Sequence, residues 1–206
     1  MLVWANFSAL YAYYLASPFN WLLILCPKGL VIEFMTCQIV FKIGLSGLTM
    51  AYYLRKHCRT RDFGVAFFGI FYALSGYMAA YSWNIMWLDC IILFPLIVLG
   101  LEHLVKDGKG MLYCITLGLS ILSNYYISIM TCIFMVLYFI ALLVLDEEMH
   151  WEKFIGRSFQ FAVYSLLAGG LAAVVLLPEI FALQMTASGD VSFPKTFSQY
   201  FPIFDM

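Results

Sequence analysis

The residues with chemistry to explain are the few ionisable and polar ones set inside apolar runs. Lys42 lies in the apolar stretch Val31–Leu54, twelve residues before its end, too deep to reach the inner headgroups easily by snorkelling. A charge held there needs a counter-charge: a carboxylate (Glu33 or Asp89), helix carbonyls, or the phosphate of an anionic lipid ligand. A structural ion pair, binding of an anionic ligand and plain snorkelling are the three readings. Asp89 follows Asn84 and Trp87 in a region ringed by Tyr77, Tyr81 and Trp83. A carboxylate beside aromatic faces at a membrane surface suits sugar binding or general-base work, which makes Asp89 a candidate catalytic residue. The simpler account is an aromatic belt around a carboxylate that favours a helix start.

Ser123-Asn124-Tyr125-Tyr126 interrupts a long apolar stretch. Non-helical backbone at membrane depth survives only inside protein or beside a watery cavity. The break therefore borders a substrate cavity or is an ordinary exposed turn. The expected substrate-binding set is Lys42, Asn84, Trp87, Asp89, Asn124 and Tyr125, with all but the lysine around one outward-opening cavity. Glu102 precedes Lys106 by four residues, the spacing of a helical ion pair, and His57 and His150 read as solvated loop residues. Gly44, Ser46 and Gly47, and likewise Ser165, Gly169 and Ala173, read as faces for close helix packing. The six cysteines are scattered, with no CxxC pair and no metal-ligand spacing, and read as small hydrophobes. No soluble-enzyme motif is present.

Composition decides what must position these groups. Hydrophobic residues are 64% and charged residues 11% of the 206, where globular chains have about 45–50% and about 25%. That is too apolar for a soluble surface and the reverse of disorder. The net charge of −1 gives no reason to expect a nucleic-acid partner. Crossing a hydrocarbon core of about 30 Å takes roughly 17–25 residues. Val31–Leu54, Phe63–Tyr81, Leu88–Val105 and Phe154–Leu177 qualify, the last ended by Pro178. Met111–Leu145 divides into two short helices at the polar break. The expected fold is all-α: a polytopic transmembrane bundle of about six membrane helices, truncated at both ends.

Eight of the eleven basic residues (Arg55, Lys56, Arg59, Arg61, Lys106, Lys109, Lys153 and Arg157) fall in or beside three connections, which the positive-inside rule makes cytoplasmic. Residues 1–30 are then a partial outer-face segment, 31–177 the membrane bundle, and 178–206 the start of another outer-face segment.

Longer strings carry a family resemblance. YAYYLASPFN (Tyr11–Asn20), FKIGLSGLTMAYYLR (Phe41–Arg55), ALSGYMAAYSWNIMWLD (Ala73–Asp89), LSILSNYYISIM (Leu119–Met130) and SLLAGGLAAVVLLP (Ser165–Pro178) resemble the bacterial YfhO family, as does the Phe193-Pro194 pair. The resemblance implies a C-type glycosyltransferase-like fold in the bacterial cytoplasmic membrane. Its partners would be a polyprenyl-phosphate-linked sugar, a cell-wall polymer acceptor of teichoic-acid type, and membrane lipids. Family members are longer, and their usual catalytic base lies in an outer loop upstream of this chain. Asp89 and Lys42 fall inside matching strings. The leaving phosphate requires a cation, whether lysine, arginine or a divalent metal. A transporter or flippase for lipid-linked sugars, and a non-catalytic cell-wall assembly scaffold, are the alternatives.

Overall fold

A computed structural model of the chain describes Tyr11, residues 16–146 and residues 150–184, the last three of these as backbone only. Two 3₁₀ segments, Pro18–Leu25 and Lys28–Leu30, lead into α1 (Val31–His57), α2 (Phe63–Ala73), α3 (Gly76–Tyr81), α4 (Ile85–Asp107), α5 (Met111–Ser123), α6 (Tyr125–Leu145), α7 (Trp151–Leu171) and α8 (Ala173–Gln184). Among the described residues every regular element is helical, as expected.

Four segments are long and apolar enough to cross a bilayer: Lys28–His57, Phe63–Tyr81, Ile85–Asp107 and Tyr125–Leu145. The bent pair Trp151–Leu171 and Ala173–Phe181 makes a fifth if it counts as one span. The expected sixth, α5, has 13 residues, about 20 Å of helix, too little for a core of about 30 Å. It is held inside the bundle, packed between α4 and α7.

Helix α1 is inverted relative to a helix on a soluble protein. Its buried positions, Gln38, Lys42, Ser46 and Thr49, are polar and recur at helical spacing, while Ile32, Val40, Phe41 and Leu48 are exposed. In lipid the apolar face needs no cover and the polar stripe does, so α1 turns that stripe onto α4. Helices α1 and α4 run in the same direction, because Lys42 meets Asp89 and, further along both helices, Tyr53 meets Glu102.

Small residues set the closest approaches. A Cβ on Gly69 would lie 2.8 Å from the Gly47 carbonyl oxygen, and one on Gly100 would lie 2.5 Å from the backbone nitrogen of Tyr113. Gly47 thus packs as expected, but Gly44 and Gly169 face open space. On α7 the close contact is made by Ala168 and Leu171 against Gly118 of α5. The reason is phase: Ala168 and Ala172 are fully buried, whereas Gly169 falls on the neighbouring face.

Proline acts in two ways. Pro95 inside α4 leaves the Ile91 carbonyl without a helical donor. The Tyr72 hydroxyl donates to that oxygen at 2.9 Å, which ties α2 to α4. Pro178 was expected to end the last helix, but the interruption comes earlier, at Ala172, where α7 and α8 meet at 74°. Gly169-Gly170 lowers helix propensity just before the bend, and α8 then runs through Pro178 to Gln184. Similarly, Phe63–Tyr81 is interrupted at Leu74-Ser75, with Ser75 in extended conformation at the start of α3.

Candidate functional site

Lys42 and Asp89 form a salt bridge of 2.9 Å with both side chains buried, at 0% and 2% exposure. The lysine Nζ also donates to the Ile85 carbonyl at 3.1 Å and sits 5.4 Å from the centre of the Phe19 ring. Between the two expected carboxylates the structure selects Asp89, because α1 turns the Lys42 face toward α4, while Glu33 lies on the exposed face. Asp89 is one turn inside α4, whose N-cap position is taken by Asn84. Its carboxylate therefore serves as the counter-charge of Lys42, with Ser17 at its side. A desolvated pair of this kind holds its geometry strongly, since loss of either partner leaves a buried charge uncompensated.

One turn above Lys42 lies a cavity of 340 Å³ whose wall is mostly apolar, formed by Leu23, Met35, Trp83, Ile85 and Met86, with the amides of Asn20, Gln38 and Asn84 set into it. The Gln38 amide donates to the Asn20 oxygen at 3.3 Å. Asn84 is 3% exposed, and its amide nitrogen has no hydrogen-bond partner. The site thus presents an unpaired donor, further amides and an indole face, the group types that bind hydroxyl-rich ligands.

Of the residues expected around one cavity, Asn84 lines this one. Trp87 lies on the aromatic row Tyr77–Tyr81–Trp87, its ring 6.2 Å from that of Tyr81, and the neighbouring Trp83 faces the cavity instead. Asn124 is fully buried and caps α6 by accepting from the Ile127 amide at 3.0 Å. At Ser123 and Asn124 the break is therefore enclosed by protein, while Tyr126 on the next turn is exposed. Ser120 and Ser128 share a hydrogen bond of 2.8 Å across it, and the Cys90 thiol approaches the Ser120 and Asn124 carbonyls. Cys90 adjoins Asp89 in sequence, so the break and the ion pair meet on adjacent residues of α4. Tyr125, at the start of α6, neighbours Glu179.

Two further buried carboxylates differ from the sequence expectation, Glu102 in its partner and Glu179 in not being anticipated at all. Glu102 is 2% exposed and does not pair with Lys106 in an i,i+4 bridge. It accepts from the hydroxyls of Tyr53 at 3.0 Å and Tyr138 at 2.8 Å, and meets the His57 Nδ1 at 2.9 Å. His57 is 41% exposed, in keeping with a solvated residue, but it ends α1 and its ring meets a buried acid. The missed signal was spacing: Tyr53 and His57 are one helical turn apart on α1. Glu179 is 2% exposed within α8, and was overlooked because the helix was expected to end at Pro178.

The free cysteines are Cys26, Cys37, Cys58, Cys90, Cys114 and Cys132. Among the described residues no three His, Cys, Asp or Glu side chains gather as a metal site would require.

The profile of a family described as bacterial membrane protein YfhO matches residues 5–206. The chain belongs to the YfhO family. A protein of Bacillus subtilis (strain 168), described as uncharacterized protein YfhO, is 24% identical over 148 residues. That match covers 69% of this chain and 16% of the relative, so the chain spans a minor part of that protein's length. No solved structure matches the chain. The strings that resemble the YfhO family fall where the site is built: Phe41–Arg55 lies in α1 with Lys42, Ala73–Asp89 runs into α4, and Leu119–Met130 spans the Asn124 break.

Proposed function

We propose that this multi-pass chain is part of a glycosyltransferase of the bacterial cytoplasmic membrane, which moves a sugar from a polyprenyl-phosphate carrier to a cell-wall polymer on the outer face. The observation that carries this reading is the amide- and indole-lined cavity directly above a buried lysine–aspartate pair. The cavity has the chemistry for a sugar, and the lysine for a phosphate. In the reaction, the acceptor oxygen bonds to the anomeric carbon as the bond from that carbon to the carrier phosphate oxygen breaks. The acceptor proton goes to a carboxylate. Asp89, engaged with Lys42, acts as the counter-charge that keeps the lysine charged and aimed. The general base is then a carboxylate elsewhere in the longer protein, and Lys42, whose ammonium is fully buried against Asp89 and the Ile85 carbonyl, stabilises the departing phosphate only once the carrier has opened a path to it.

The test uses the full-length protein in proteoliposomes supplied with labelled polyprenyl-phosphate sugar and acceptor polymer. Gln38→Leu and Asn84→Leu are expected to reduce transfer at least tenfold with expression retained. Wild-type transfer in both variants would refute the sugar site. Movement of the lipid-linked sugar across the bilayer without transfer would replace the enzyme with a flippase.

A further inference from the structure

The opposite end of the bundle, where the basic connectors gather, holds a second site unrelated to the sugar cavity. Helices α1 and α2 touch at Gly47 and Gly69, and the segment Cys58–Asp62 joins them with Arg59 in the left-handed region at φ 53°. Between the glycine contact and this connector lies a groove of 440 Å³. Its wall is apolar, formed by Leu48, Ala51, Val65 and Ala66, and Arg55 and Arg61 line it as well. Among the described residues neither guanidinium has an ion-pair partner. Asp62 also lines the groove and accepts the Thr60 hydroxyl at 2.6 Å, so the lining sets two guanidiniums against one carboxylate. Lys56 adds a further cation nearby, its Nζ 5.8 Å from the centre of the Tyr52 ring.

We infer that this groove binds an anionic phospholipid from the leaflet that the basic connectors face. An acyl chain would lie along the Leu48–Val65 wall, and the headgroup phosphate would accept from the forked donors of Arg55 and Arg61. Charge complementarity selects the occupant. A zwitterionic lipid would bring its own ammonium to a site that already holds more cations than anions, and a free phosphate would leave the apolar wall uncovered. Each arginine near a membrane surface strengthens binding of an anionic lipid about fivefold. Loss of both therefore predicts weakening of about 30-fold, the equivalent of about 2 kcal/mol at 1.4 kcal/mol per tenfold.

The experiment is native mass spectrometry of the full-length protein in detergent, titrated with phosphatidylglycerol, phosphatidylcholine or inorganic phosphate. Phosphatidylglycerol adducts should persist at activation energies that strip phosphatidylcholine. The Arg55→Gln/Arg61→Gln variant should lose them by about 30-fold, whereas Lys106→Gln/Lys109→Gln, in the next connector, should keep them. Ala66→Trp fills the groove without altering its charge and should lose them too, with the elution profile unchanged, which keeps the test valid if the arginine variant fails to fold. Equal retention of the two lipids, equal loss in the lysine variant, retention in Ala66→Trp, or displacement by millimolar phosphate would each overturn the assignment.

Discussion

Replacing Lys42 with Met keeps much of the side-chain volume and removes the charge, which leaves the Asp89 carboxylate buried without its partner. Both groups are at most 2% exposed and their contact is 2.9 Å, so breaking the pair from either side should cost about 3–5 kcal/mol. Replacing both partners is different, because a buried pair exchanged for uncharged groups of similar volume is often neutral or stabilising. Lys42→Met and Asp89→Asn should each destabilise by that amount, while the double variant should return to within about 2 kcal/mol of wild type. The resulting coupling energy is at least about 4 kcal/mol. Equilibrium unfolding of the full-length protein in SDS-containing mixed micelles reads all four corners of the cycle. Losses that add within about 0.5 kcal/mol would refute the pairing argument. The same variants separate structure from chemistry. If Lys42 also stabilises the carrier phosphate, the double variant recovers stability without recovering sugar transfer, and Lys42→Arg retains part of it. Wild-type transfer in Lys42→Met would end the phosphate role.

The carboxylate at the other end of α4 gives a second expectation: Tyr138→Phe removes a hydrogen bond to a buried charge and should cost about 1.5–3 kcal/mol in the same unfolding assay. Tyr72→Phe frees the Ile91 carbonyl that Pro95 cannot serve, and should cost only about 0.6 kcal/mol, the average for hydrogen bonds between membrane helices. Gly100→Ala forces a methyl against the Tyr113 backbone and should abolish monodisperse elution, whereas Gly44→Ala meets open space and should elute as wild type. For topology, a membrane-impermeant maleimide applied to whole cells should label a cysteine at the exposed position 83 and not one at position 61, in a background free of other cysteines.

Much of the site was legible because burial of a charge in lipid leaves few choices. Lys42 stood out in Val31–Leu54 by composition alone, and Asp89 was one of two possible partners. The polar interruption at Asn124 was legible for the same reason, as a run of four polar or amphipathic residues inside an apolar stretch. Glu102 was misread because the i,i+4 rule describes exposed helix faces. On a lipid-embedded helix the nearest charge in sequence is no guide when the acid faces inward and finds tyrosines from two other helices. Trp87 was expected at the cavity and Trp83 lines it instead, because the two lie four positions apart across the turn into α4 and only the course of the chain there decides which ring faces the cavity.

The sequence by itself determined the solvent, the helical fold and the presence of a buried cation, because each follows from local composition: the polar backbone of an apolar segment in lipid must bond to itself, and a charge there must be neutralised. Helix phase and helix partners were decided only by the tertiary structure. The rotation of α1 that puts Gln38, Lys42, Ser46 and Thr49 inward, the bend at Ala172, and the confinement of the short α5 between α4 and α7 all depend on contacts between segments far apart in the chain. Lipid tails are as apolar as leucine, so hydrophobicity does not choose which apolar face turns inward. Close packing at Gly47, Gly69 and Gly100, and satisfaction of buried polar groups, make that choice.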